Sequence, residues 1–211
     1  SEIQLYAALL LKFFNQALKG ADVLIALSKP GPDVVKQEWI RTMAPKAIVF
    51  ACANPVPEIY PYAAKEAGAY VVATGRGDFP NQVNNSIGFP GILKGALLVR
   101  ARKITDEMAI SAAHAVAKFA EEKKGINPDY IMPTMQETEV FAVEAADVAM
   151  QAIKDGVARV ELTWDEVYNT TLADVKEARA IIDLLQKNEF IKAPDLKMLE
   201  EARDKAVAAV R

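Results

Sequence analysis

The stretch AIVFACANPVPE, residues 47–58, decides the fold, because an unbroken apolar run passes directly into an asparagine and a proline-rich turn. Two neighbouring stretches have the same form: ADVLIALS (21–28) ends at Ser28, and AYVVATG (69–75) ends at Gly75. Runs of this kind, rich in β-branched residues, are typical of strands buried on both faces, as in parallel sheets. The sequence therefore predicts three parallel strands.

The segments between these strands are predicted to be helices. Apolar residues recur at helical spacing in 33–44 and 57–68, and Gly68 supplies a stop signal. The order βαβαβ predicts an α/β fold with a doubly wound parallel sheet. Five further helices are predicted, at 89–101 with Pro90 at the entry, 103–123 with Thr105 as N-cap, 137–156, 163–186 and 194–211. The acid-rich stretches 137–147 and 195–204 are interpreted as solvated faces of amphipathic helices.

Polar residues stand where the predicted strands end. Ligands of such sheets bind outside the carboxyl ends of the strands, where Ser28, Asn54 and the loop from Gly75 to Asn85 lie. This loop carries four neutral amides, at Asn81, Gln82, Asn84 and Asn85. The alternative is that these residues cap helices or close turns. For Ser28 both interpretations stand equally, whereas for Asn54 together with Asn85 we favour a ligand.

Composition narrows the possible functions. The 211 residues carry a formal net charge of -3, which argues against a nucleic-acid partner. One cysteine cannot form an internal disulfide, so a cytoplasmic location is expected. The apolar stretch 6–14 contains Lys12 and is far shorter than the ~20 residues of a membrane span, so no membrane association is predicted. The glycines form neither GxGxxG nor GxxxxGK[ST], so a dinucleotide-binding fold would be represented by its second half only.

Four segments of the chain resemble one known family. They are ALKGADVLIALSKPG (17–31), IVFACANPVPEIYP (48–61), AGAYVVATGRGDFPNQVNNSIGFPGILKGALLVRARKIT (67–105) and MQAIKDGVARV (150–160). Together they resemble the C-terminal, cofactor-binding part of malic enzymes of the smaller bacterial and archaeal type. One departure concerns Gly77, since the family usually has serine between the arginine and the aspartate of this loop.

The resemblance implies oxidation of L-malate with NAD or NADP and a divalent metal, Mg²⁺ or Mn²⁺, followed by decarboxylation to pyruvate. It implies that Asn54 and Asn85 bind the substrate beside the nicotinamide and contact the cofactor, and that Ser28 and Gly75 lie along the cofactor. In the family the acid, the base and the metal-binding carboxylates lie upstream of the matched region. No catalytic residue and no metal ligand is therefore expected in this chain, which should not turn over malate alone.

The expected organisation has three parts. Residues 1–16 form an atypical N-terminal segment, and 17–105 form a partial dinucleotide-binding domain with a Rossmann-like sheet. The helical region 106–211 completes that domain and is available for the interface of a homodimer, the usual state of the family. The alternative function is a non-catalytic binding or assembly module that retains the malic-enzyme fold, which the missing phosphate loop and metal carboxylates favour.

Overall fold

The computed structural model describes residues 13–192 and 194–210, and its sheet has the predicted parallel topology. Strands β1 (Val23–Ala26), β2 (Ile48–Ala51) and β3 (Val71–Thr74) lie in the order β1-β2-β3. Ile48 in the central strand pairs with Val23 on one side and with Val71 on the other. Most of the predicted atypical N-terminal segment, residues 1–16, lies outside the described part of the chain. Its last residues belong to a helix at 13–18.

Seven further helices accompany the sheet within the described part of the chain. They are α1 (Gln37–Ile40), α2 (Pro61–Glu66), α3 (Asn85–Leu98), α4 (Asp106–Lys124), α5 (Glu139–Lys154), α6 (Trp164–Lys187) and α7 (Leu196–Val210). The helix predicted at 33–44 is reduced to α1. The N–H of Val35 donates to the carbonyl oxygen of Glu58, outside any helix, and this takes the preceding residues away from a helical path.

The chain divides into two compact units, Ser1–Thr171 and Leu172–Arg211. The boundary falls within α6, so the second unit contains the later part of that helix together with α7. None of the helices described is both long and apolar enough to cross a membrane. The sheet and the helices up to α5 belong to the first unit, and so do the predicted site residues.

One face of the sheet forms a continuous core with α1 and α2. Its members include Leu24, Ala26, Val49, Ala51, Val72, Trp39, Ile40, Ile59 and Ala64. On the opposite face Val71 and Ala73 in β3 are buried, but Val23 and Ile25 in β1 are 49% and 59% exposed. The prediction of burial on both faces is therefore wrong for β1. The physical reason is that no described residue covers this face of β1, whereas β3, which is also an outer strand, is buried along its whole length.

A second core surrounds α5, which packs against both α3 and α4. A methyl group at Gly95 in α3 would lie 2.4 Å from the carbonyl oxygen of Ala145 in α5, so this close helix contact requires glycine. Helix α3 begins four residues before the predicted start, because the side chain of Asn84 caps it; Pro90 consequently lies inside the helix. The predicted cap of α4 is confirmed, since the hydroxyl oxygen of Thr105 accepts a hydrogen bond from the N–H of Met108 at 3.1 Å.

Candidate functional site

The four predicted site residues all lie beyond the carboxyl ends of the strands. Ser28 follows β1, Asn54 follows β2, Gly75 directly follows β3, and Asn85 is the first residue of α3. The side chains of Ser28, Asn54 and Asn85 are exposed, whereas Gly75 is buried. The topology therefore brings these residues to one edge of the sheet, as expected for parallel strands.

Gly75 lies between Asn54 and Asn84, the residue that precedes Asn85. A side chain at this position would begin 3.1 Å from Oδ1 of Asn54, so the Asn54 carboxamide lies directly against the glycine. On the other side, Nδ2 of Asn84 donates a hydrogen bond of 2.8 Å to the carbonyl oxygen of Gly75. Asn85 is the next residue along the chain. Neither Asn54 nor Asn85 makes a side-chain hydrogen bond to another described residue, so both carboxamides are free to bind a ligand.

Two of the other loop amides have structural roles instead. The side chain of Asn81 is buried, donates to the carbonyl oxygens of Val72 and Pro128 at 3.0 and 2.7 Å, and accepts from the N–H of Ile131 at 2.9 Å. Oδ1 of Asn84 accepts from the N–H of Ser86 at 3.0 Å and caps α3. The capping alternative weighed for the loop thus applies to Asn84 and not to Asn85.

Ser28 is held by a buried carboxylate that the sequence analysis missed. Glu58 is 0% exposed. Its Oε1 accepts hydrogen bonds from the N–H and hydroxyl of Ser28 at 2.7 and 3.1 Å, and its Oε2 accepts from the N–H of Ala53 at 3.0 Å. Glu58 therefore fixes the loops after β1 and β2 to each other. The Ser28 hydroxyl group retains its lone pairs for a ligand, but its proton is directed at Glu58. A glutamate among prolines in PVPE was the only sequence signal.

The loops after β2 and β3 are joined by Arg76. Its guanidinium donates to both carboxylate oxygens of Asp78, at 2.7 and 2.6 Å, and to the carbonyl oxygen of Pro55 at 3.1 Å. The hydrogen bonds from Arg76 lower the pKa of Asp78 below its usual value. A side chain at Gly77 would begin 3.2 Å from Nε2 of Gln82, so the departure from the family pattern lies against that amide. This network holds the backbone beside Asn54 in place.

A cavity of about 460 Å³ opens beside Asn85, between α3 and α4. Its wall is apolar except for Asn84, Asn85 and Glu144, which α5 contributes. Glu144 is 0% exposed, and neither carboxylate oxygen makes a hydrogen bond of normal geometry. Burial raises the pKa of Glu144 to about 8, although the N–H of Gly91 acts in the opposite direction. The interpretation of 137–147 as a solvated face is wrong here, because α5 lies between two other helices.

Neutral amides dominate the chemistry at the strand ends. Within residues 13–192 and 194–210, no three His, Cys, Asp or Glu side chains are grouped so as to hold a metal ion. The described residues therefore do not fit a metal site. They do fit the uncharged end of a dinucleotide or a small hydroxy acid, because each free carboxamide offers both donors and an acceptor without adding charge.

The chain matches the family described as malic enzyme, NAD binding domain, over residues 16–154. It is 46% identical over 169 residues to the bifunctional malic/malolactic enzyme of Bacillus subtilis (strain 168), which covers 76% of this chain and 40% of that protein. The chain thus spans about 40% of the length of this curated relative. Other curated relatives are named as NADP-dependent or as NAD-dependent malic enzymes.

Solved structures agree with this match. The malic enzyme of Entamoeba histolytica superimposes with a TM-score of 0.90 and 65% identity, covering 93% of this chain and 40% of that one. The malic enzyme of Pyrococcus horikoshii superimposes with a TM-score of 0.76 and 47% identity, covering 83% of this chain and 40% of that one. The predicted Rossmann-like fold is confirmed.

Proposed function

The chain belongs to the malic enzyme family, and from this premise we propose that it is the NAD(P)-binding part of an enzyme that oxidatively decarboxylates L-malate to pyruvate and CO₂. The observation that carries the proposal is the pair of exposed carboxamides, Asn54 and Asn85: Asn54 lies against the buried Gly75, and Asn85 follows Asn84, which donates a hydrogen bond to the carbonyl oxygen of Gly75. Both lie beyond the ends of adjacent strands, where such sheets bind nicotinamide cofactors.

Positioning is the contribution that we assign to this chain. The Asn54 and Asn85 side chains would hold the carboxylate and hydroxyl groups of malate beside the nicotinamide, which accepts a hydride when bound. Such alignment of reacting groups accounts for a substantial part of many rate enhancements. The helix that begins at Asn85 adds a positive partial charge at its N-terminus, which favours an anionic substrate there. Ser28 and Gly75 are proposed to lie along the cofactor.

The divalent metal and the acid and base are assigned to other segments of the complete enzyme by the family resemblance. We propose Mg²⁺ or Mn²⁺, because hard oxygen donors of a hydroxy acid suit these ions. No turnover of malate by this chain alone is expected. Both NAD and NADP remain within the proposal.

A chimeric enzyme tests the proposal. The segment of the Entamoeba histolytica malic enzyme that precedes the matched part would be joined to this chain, to which that enzyme is 65% identical. With Mn²⁺ and NAD or NADP, the chimera should reduce the cofactor only when malate is present. Changing both Asn54 and Asn85 to Ala should reduce this activity at least ~100-fold, since substrate alignment is lost. Activity within twofold of the unchanged chimera would contradict the assignment.

The matched control for this pair is Asn188→Ala. Asn188 also carries an exposed carboxamide, but in the second unit, where it donates to the carbonyl oxygen of Leu184. The control should retain full activity. Thermal unfolding of every variant would separate a loss of alignment from a loss of structure.

A binding or assembly module is the second candidate, and the Leu172–Arg211 unit favours it. Several large apolar side chains of this unit are exposed: Ile181, Ile182, Leu184, Phe190, Ile191, Leu196, Met198 and Leu199. A homodimer joined through these helices would cover them. Light scattering coupled to size-exclusion chromatography, with NAD titration calorimetry, distinguishes the candidates. A tight oligomer without dinucleotide binding would support assembly alone.

A further inference from the structure

The lining of the cavity between α3 and α4 includes the buried carboxyl group of Glu144, which has no hydrogen bond of normal geometry within the described chain. We propose that this cavity receives a lysine or arginine side chain from another polypeptide segment, whose cation pairs with Glu144. The proposal does not use malate or the cofactor, although Asn85, which the proposed function also uses, lines the same cavity.

Glycines in α3 form a notch for the Glu144 carboxyl group. A methyl group at Gly91 would lie 2.1 Å from Oε2 of Glu144, and one at Gly88 would lie 3.6 Å from Oε1. The carboxyl group is therefore packed against the backbone of α3 and is fully buried, so a cation entering the cavity must displace lining side chains to reach it. Burying a carboxyl group without hydrogen bonds of normal geometry is costly, so a site that maintains this arrangement is expected to supply a partner.

The rest of the cavity suits an aliphatic stem. The lining residues on α4 are Ala109, Ala112, Ala113, Val116 and Ala117, and Ile87 and Ile92 contribute from α3. Glu144 is the only titratable group among the lining residues of the described chain. One charge at the end of an apolar wall matches a side chain that carries one cation on several methylene groups.

The form of the surface and the length of the relatives favour a polypeptide as the source of the cation that pairs with Glu144. Ala109, Ala113 and Ala117 are exposed and lie four residues apart, so they form an open stripe along α4 rather than a closed pocket. Small residues in a row allow another backbone to approach closely. Because the chain spans 40% of the Entamoeba enzyme, that protein contains further polypeptide that could supply the segment.

Two matched probes test this inference with the chain as it is. Nα-acetyl-lysine-N-methylamide and the uncharged norleucine analogue have similar stems and differ in the ammonium group. Binding would be followed through backbone amide shifts in NMR spectra. We expect the lysine probe to bind at least ~10-fold more tightly and to shift amides of α3 and α4, because the ammonium pairs with Glu144. Glu144→Gln should remove this preference.

Ala113→Leu provides a second variant that leaves the carboxyl group in place. Ala113 is exposed, so leucine there should fill the cavity without disturbing the core, and binding of both probes should be lost. Equal affinities for the two probes, no detectable binding of either probe, or an unchanged preference in Glu144→Gln would overturn the proposal. Tighter binding of n-butylammonium than of the lysine probe would overturn the side-chain source in favour of a free amine.

Discussion

The first unit contains two fully buried glutamates that differ in their hydrogen bonding. One has hydrogen-bond partners within the described chain, and the other has none of normal geometry. Glu58, at the strand ends, accepts three hydrogen bonds at 2.7 to 3.1 Å from Ser28 and Ala53. Glu144, on the side of α5 that packs against α3, accepts no hydrogen bond of normal geometry. Both are 0% exposed. Burial alone therefore does not reveal what a carboxylate does, and its hydrogen-bond partners must be identified as well.

The difference indicates in which region the described chain supplies hydrogen-bond partners for its own buried carboxyl group. At the strand ends, one carboxylate joins the loops after β1 and β2, and the Arg76–Asp78 pair joins those after β2 and β3. The proposed positions of Asn54 and Ser28 are thus fixed by residues of this chain. In the helical layer, the cavity beside Glu144 lacks such partners. We expect substitutions in the two regions to differ in both size and pH dependence.

The largest expected effect is the loss of Glu58. Glu58→Ala leaves the buried N–H group of Ala53 and the N–H of Ser28 without their acceptor, which should lower the free energy of unfolding by about 4 kcal/mol. Urea denaturation measures this change. Glu66→Ala is the control, since Glu66 is exposed and accepts only a 3.3 Å hydrogen bond from Gln37. A loss below 1 kcal/mol for Glu58→Ala would remove the distinction between the two glutamates.

The next effect concerns pH and should arise at Glu144. Its pKa is raised from 4.5 to about 8 by burial, so the folded state binds this proton more tightly than the unfolded state. The resulting stability is fully present below pH 4.5 and is lost as pH rises through about 8. Between pH 5 and pH 8 we expect Glu144 to reduce the free energy of unfolding by about 3 kcal/mol.

The comparison of wild type with Glu144→Gln isolates this dependence. The glutamine cannot ionise, so the pH profile of the free energy of unfolding should become flatter by the same amount. Urea denaturation at several pH values measures both profiles. Parallel profiles for the two proteins would mean that Glu144 is already ionised or paired in the folded chain, and the contrast with Glu58 would disappear.

The sequence predicted features that depend on local patterns and missed those that depend on contacts between distant segments. The strands, the helix order and the placement of Asn54 and Asn85 at strand ends come from local patterns, which apolar periodicity and turn residues express directly. Glu58 and Glu144 could not be assigned in the same way, because their surroundings come from segments distant in sequence. Ser28 lies 30 residues from Glu58. The exposure of one face of β1 was missed for the same reason, since an apolar run does not specify its neighbours.

Gly91→Ala should have a smaller effect and tests the notch. The new methyl group would lie 2.1 Å from Oε2 of Glu144, so the carboxyl group must move, at a cost of about 2 kcal/mol. In a Glu144→Ala background the same change should be neutral or stabilising, since alanine favours a helix more than glycine does. A double-mutant cycle measures the coupling. Gly88→Ala is the control, because its methyl group would make an ordinary contact at 3.6 Å.

The smallest effect is expected for Ser28→Ala, which removes one of the three hydrogen bonds of Glu58 and leaves the other two. The free energy of unfolding should fall by only about 0.5–1 kcal/mol, because no buried donor loses its acceptor. The same variant tests the proposed cofactor contact. A several-fold loss of NAD(P) affinity, by calorimetry, would mean that the hydroxyl oxygen accepts a bond from the cofactor while its proton stays on Glu58. Unchanged affinity would leave Ser28 with a structural role, and the proposed cofactor contacts at the strand ends would then depend on Asn54, Gly75 and Asn85.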